Sequence, residues 1–142
     1  MLQVLLNQHL LLLAFLNDLF DITLYEATLQ THNIQIRADL LNKIKNDIHV
    51  VEVKSSTGIK EIYLVDSAIQ YSVMAGAGFT PAKISLAHIN NKFVYLGDSN
   101  YNDLFKVVDL TSEVSERAEQ VPEWIEAANK TIAGDLPRIE VG

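Results

Sequence analysis

The stretch that most constrains this chain is Ile34–Ser56, in which Ile-Gln-Ile-Arg-Ala-Asp-Leu-Leu and Ile-His-Val-Val-Glu-Val-Lys-Ser-Ser flank a polar segment at Asn42–Asp47. Two β-branched runs joined by Asn, Lys and Asp predict an antiparallel hairpin. Side chains alternate along a strand, so Glu52 and Lys54 share one face, while Val51 and Val53 share the other. Asp39 falls near the end of the first strand, and pairing brings it beside Glu52. Two carboxylates and a lysine on an otherwise apolar sheet are costly unless something binds them, and a divalent cation meets that need. The competing structural reading makes Glu52–Lys54 an edge-strand ion pair and Asp39 a cap of the hairpin turn.

With 142 residues and an apolar fraction of 49%, the chain has the size and composition of one folded domain. It has no cysteine. Disulfides, cysteine zinc sites and iron–sulfur clusters are thereby excluded, and a metal site must use carboxylates, histidines or carbonyl oxygens, which suits Mg²⁺ or Mn²⁺. The net charge of −7 opposes nucleic-acid binding through the phosphate backbone. Residues 110–142 carry −4 of it, from seven acids against three bases, and the remainder carries −3, from eleven acids against eight bases. Lys43, Lys45, Lys54 and Lys60 cluster around the candidate carboxylates.

Leu2–Phe20 predicts a buried helix. Its apolar run at Leu10–Leu16 is too short for a bilayer and lacks a basic flank, so a cytoplasmic location without membrane attachment is expected. Ile22–Gln30 reads as a strand carrying Glu26, either a third acid at the site or a strand-edge residue. Arg37 shares the parity of Asp39, as its ion-pair partner or as a phosphate contact. Lys60–Ala77 predicts a helix with Ile62, Val65, Ile69 and Val73 on an apolar stripe and Tyr63, Asp66 and Gln70 on a polar one beside it. A solvated face accounts for Asp66, whereas Gln70, flanked by Ile69 and Tyr71, needs partners. Strands are expected at Lys83–Ile89 and Lys92–Leu96, and a further apolar run lies at Leu104–Leu110. Thr111 or Ser112 is expected to cap a C-terminal helical segment over 112–142, behind a core of 1–111.

The expected class is α/β (α+β): a helix, a three-strand meander, a helix and a strand, forming a mixed sheet flanked by helices. With Asp39 on the second strand, Glu52-Val53-Lys54 on the third and Gln70 on the next helix, this order resembles the PD-(D/E)XK nuclease superfamily and its restriction-endonuclease-like core. The segments Ile36-Arg-Ala-Asp-Leu-Leu, Val51-Glu-Val-Lys-Ser-Ser-Thr and Asp66-Ser-Ala-Ile-Gln-Tyr look most like the RecB-type branch. They are especially similar to an uncharacterised bacterial domain family related to the CRISPR-associated RecB-like exonucleases, with likeness from Tyr25 to Val114.

The resemblance implies a single metal-dependent nuclease domain acting on single- or double-stranded DNA. It implies Asp39, Glu52 and the Val53 carbonyl as ligands of Mg²⁺ or Mn²⁺, with Glu26 a further candidate. Lys54 would assist water attack, Gln70 would position water or phosphate, and Arg37, Lys43, Lys60 and Tyr71 would contact substrate. RecB-type enzymes often carry a tyrosine four residues after the glutamine, where this chain has Met74. Relatives continue into a cysteine-bearing segment, so a missing C-terminal region or a protein partner belongs to the same expectation. The alternative is a nuclease fold that binds or scaffolds without turnover.

Overall fold

The computed structural model describes residues 21–31 and 33–134. The helix expected at Leu2–Phe20 and the last residues of the C-terminal segment lie outside the described residues. Eight elements follow in order: β1 (Ile22–Thr31), β2 (Ile34–Ile44), β3 (Asp47–Lys54), α1 (Glu61–Gly76), β4 (Lys83–Ile89), β5 (Phe105–Asp109), α2 (Thr111–Ala118) and α3 (Val121–Ala133). The strands form one sheet in the order β1-β2-β3-β4-β5. Neighbours are antiparallel except β3 and β4, which α1 joins as a parallel pair. The result is a mixed α+β fold with a five-stranded mixed sheet flanked by helices.

The central hairpin is tighter than the composition of Asn42–Asp47 suggests. Both strands run to the Ile44–Asp47 pair, leaving Lys45-Asn46 as a two-residue turn. Lys45 takes a φ of 56°, and its N–H donates to Asp21 Oδ1 at 2.9 Å. Asp39 consequently sits mid-strand in β2, four residues before Lys43, and does not cap the turn.

Two irregularities at the level of Asp39 shape the sheet. The β2–β3 ladder ends at Leu40–Val51, although β2 stays paired with β1 as far as Ile34–Thr31 and β3 stays paired with β4 as far as Lys54–His88. The sheet therefore divides beyond this level. On the other side of β2, Glu26 and Asp39 drop out of the β1–β2 ladder, and Glu26 has a φ of 53°. Buried parity changes across this level on both strands, from Leu41 to Ala38 and Ile36 on β2, with Ala27 and Leu29 buried opposite them on β1. The twisted ribbon thus turns its other face to the core.

That core joins β1–β4 to α1, α2 and α3 through Leu41, Val50, Val73, Met74, Ile84, Leu86, Val114 and Val121. Each such side chain contributes roughly 1.5–3 kcal/mol by leaving water. The C-terminus of α1 is fixed by a Schellman arrangement, in which Gly78 N–H donates to Ala75 O at 3.0 Å and Phe79 N–H to Met74 O at 2.9 Å. Gly78 supplies the required left-handed φ of 87°, and the motif brings buried Phe79 beside buried Met74.

Three expectations are corrected here. The stripe that α1 buries comprises Ser67, Ala68, Gln70, Val73 and Met74, while Ile62 is 63% exposed, because the helix turns its polar stripe toward the sheet. Lys92–Leu96 is not a strand: both edges of β4 are occupied by β3 and β5, so the segment has no partner there and forms part of an irregular loop. Thr111 does not cap α2. Asp109 Oδ1 accepts from Thr111 N–H at 3.0 Å and from its hydroxyl at 2.6 Å, while Thr111 Oγ1 accepts from Ile84 N–H at 3.1 Å.

Candidate functional site

Where β2 and β3 part, a cleft of about 350 Å³ is lined by Asp39, Glu52, Asp66 and Gln70, together with Gln35, Ile36, Arg37 and Ile69. Beyond the last ladder pair, Asp39 Oδ2 accepts from Val53 N–H at 2.8 Å, taking the place of a backbone carbonyl. The side chain that ends the ladder thereby ties itself to the strand bearing Glu52. Asp39 and Glu52 stand opposite one another in the continued register and line the same cleft.

Glu52 is 6% exposed, and each of its oxygens has a donor. Lys54 Nζ donates to Oε1 at 2.6 Å, and Gln70 Nε2 to Oε2 at 2.9 Å. Lys54 also donates to Asp66 Oδ2 at 2.9 Å and lies 5.4 Å from the centre of the Tyr63 ring. Burial, the largest influence on Lys54, disfavours its charge; hydrogen bonds and attraction from Glu52 and Asp66 outweigh this and raise its pKa above the ordinary lysine value. Lys54 lines a second depression with Ile62, Tyr63 and Val65, which shares Asp66 and Ile69 with the first.

Gln70 is 5% exposed, and its amide NH₂ is committed to Glu52. Oε1 then has no hydrogen-bond partner among the described residues, an unmatched acceptor in a residue that lines the cleft. The phenol of Tyr63 is held below its usual pKa, chiefly by the Ser56 hydroxyl, with Lys60 and Lys54 adding to the effect. Lys60 Nζ lies 5.8 Å from the same ring, so this lysine is beside the site at the start of α1.

Other expected members are placed elsewhere. Arg37 lines the cleft, but its Nε pairs with Glu26 Oε2 at 2.7 Å, so its ion-pair partner is Glu26 and not Asp39. The left-handed backbone at Glu26 breaks the period-2 pattern, and its exposed side chain meets the cleft through Arg37 without lining it. Lys43, at 6% exposure, is buried on β2 between the partner positions Ile22 and Ile48 and is not among the residues lining the cleft. Tyr71 packs against the core instead of facing the cleft.

Asp66 joins the site although the solvated-face reading fitted it in sequence; the signal was its i,i+4 spacing from Gln70. His88 also adjoins it, buried and in parallel register with Lys54. Its Nδ1 lies 3.0 Å from Ile89 O, a contact that fixes the proton on Nδ1 in the neutral ring. Among the described residues no group of three or more His, Cys, Asp or Glu side chains is arranged to hold a metal ion, so any cation here relies on two carboxylates supplemented by carbonyl oxygen and water. Mg²⁺ is commonly bound in that way. No helix among the described residues is long and apolar enough to cross a membrane.

No family model matches this chain, and no curated protein matches it. Among solved structures it is similar to one titled "Crystal structure of SSO0001", at 18% identity and a TM-score of 0.33. The match covers 94% of this chain and 60% of that one, so the chain spans less than two thirds of that structure. A likeness of this degree decides neither fold family nor activity.

Proposed function

We propose that this chain is a Mg²⁺- or Mn²⁺-dependent nuclease domain of the PD-(D/E)XK superfamily, RecB-type branch, that hydrolyses DNA phosphodiester bonds in the cytoplasm. The observation that carries the reading is the convergence of Asp39, Glu52 and Gln70 on one cleft with Lys54 adjoining, at the level where β2 and β3 part. The meander β1-β2-β3 followed by α1 and a parallel β4 supports a restriction-endonuclease-like core.

The donor set suits a hard dication: Asp39 has one oxygen outside its Val53 contact, and each Glu52 oxygen keeps a lone pair beyond its single hydrogen bond. Asp39, Glu52 and the Val53 carbonyl would hold it. A bound dication would supply neutralising charge at the phosphate and lower the pKa of a water bound to it. Lys54 offers an ammonium that stays charged across the physiological range, suited to stabilising charge that develops on the phosphoryl oxygens. Gln70 lines the cleft and holds Glu52 Oε2 through its amide NH₂, a place from which it would position the water or the phosphate. Lys60 and Tyr63 flank the site and suit contact with the DNA backbone.

A nuclease fold that binds or scaffolds without turnover is favoured by one observation, that both Glu52 oxygens already have protein donors. Cleavage assays at low salt on single- and double-stranded DNA, run beside metal calorimetry, separate the two readings. Lys54→Ala is expected to abolish cleavage and retain metal binding, since lysine is no ligand for a hard cation; Asp39→Ala is expected to lose both. Undiminished cleavage by Lys54→Ala would remove this site from consideration, and a parent protein that binds no metal would favour the non-catalytic module.

A further inference from the structure

Glu52 and Lys54 are both held from one helix. Two residues along a strand cover about 6.6 Å, and four along a helix about 6 Å. Asp66 and Gln70 therefore match the spacing of Lys54 and Glu52, with α1 running opposite to β3: Gln70 Nε2 donates to Glu52 Oε2, and Asp66 Oδ2 accepts from Lys54 Nζ, both at 2.9 Å. This match explains why α1 turns its polar stripe toward the sheet and leaves Ile62 largely exposed.

The second contact answers a problem that the Glu-Val-Lys run creates for itself. Glu52 and Lys54 share a face, and with no other anion nearby the ammonium would rest on the carboxylate alone. Asp66 supplies the other anion, and the Tyr63 ring closes a further side of the ammonium at 5.4 Å. Asp66 also lines both depressions, the one lined by Asp39 and Glu52 and the one lined by Lys54.

We infer that Asp66 is the positioning residue for Lys54: its carboxylate holds the ammonium beside Glu52, at the junction of the two depressions, so that Glu52 can serve a cation while Lys54 faces substrate. The inference rests on the nuclease reading for its catalytic consequence, whereas the restraint on Lys54 is independent of activity.

The test uses the full chain with Asp66→Asn, Asp66→Glu, Lys54→Ala and the Asp66→Asn/Lys54→Ala pair, at saturating Mg²⁺. Asp66→Asn is expected to lower kcat by about 10- to 100-fold, the scale for a displaced catalytic group, with KM within about twofold. Asp66→Glu should recover most of the loss, and the two chains carrying Lys54→Ala, which have no cleavage to lose, serve as blanks for acylation at this position. In parallel, mass spectrometry of chains treated with an amine-acylating reagent should show Lys54 modified several-fold faster in Asp66→Asn, a result that needs no turnover. Faster acylation in a chain that never cleaves DNA would keep the restraint and sink the nuclease reading. An unchanged acylation rate, or a kcat equal to the parent's, would overturn the inference. If Asp66→Asn does not fold, the acylation comparison is made with Asp66→Ser under the same criteria.

Discussion

Glu52 sits where water barely reaches it, at 6% exposure, between the donors that Lys54 and Gln70 bring. Removing one partner of a buried pair leaves the other's desolvation cost uncompensated, roughly 3–5 kcal/mol when both are fully buried. Here the Lys54 side chain is 22% exposed, which lowers the expected cost of Lys54→Met to about 2 kcal/mol. Adding Glu52→Gln should restore most of that stability, because an amide needs no cation. Urea denaturation of the three chains is the measurement, and an unchanged midpoint in Lys54→Met would mean that the pair is solvated like an ordinary surface contact.

At the scale of elements, the junction between β5 and α2 combines a turn with a titrating group. The hydroxyl of Thr111, above all, and then its N–H hold Asp109 below the ordinary carboxylate pKa of 3.8, with Lys83 contributing. A depressed folded pKa adds stability that is present above the unfolded value and is lost as pH falls through the folded one. Thr111→Val should therefore cost more stability at pH 6 than at pH 3, read as the gap between parent and variant urea midpoints; an equal gap at both would refute it. This junction also shows where sequence reading stops. Local pattern made the strands Ile22–Gln30, one residue short of the observed end, and Lys83–Ile89, the central hairpin and the helix beginning near Lys60 legible, because periodicity and turn residues belong to each segment alone. The contribution of Asp109 was not legible, since it depends on how β5 meets Ile84. Lys92–Leu96 has strand composition but no free edge of β4 to pair with. At the site, Asp39, Glu52, Lys54 and Gln70 were legible from their order and parity. Asp66 left a trace in its i,i+4 spacing from Gln70, but its contact with Lys54, the burial of Lys43 and the Arg37–Glu26 pair depend on the rotation of α1 and the kink at Glu26, which period counting cannot supply.

Across the whole molecule, charge sets the terms on which the site meets any ligand. The chain carries −7, and around the cleft the carboxylates of Asp39, Glu52 and Asp66 outnumber the ammonium of Lys54 three to one, a formal −2. Arg37 adds little to this balance because Glu26 neutralises it. One divalent cation matches the deficit, and binding only to the folded state raises stability by mass action. At ten times Kd the gain is about 1.4 kcal/mol, which for a domain of this size raises Tm by roughly 3–6 °C. Mg²⁺ is therefore expected to raise Tm above that in NaCl of equal ionic strength, since NaCl screens the general repulsion but does not bridge Asp39 and Glu52. Asp39→Asn should abolish the difference while keeping the fold, because the amide oxygen can still accept from Val53 N–H. Thermal scans of both chains in matched salts decide it: an equal rise with either salt, or a Mg²⁺-specific rise that survives Asp39→Asn, would mean that the cleft does not hold the cation.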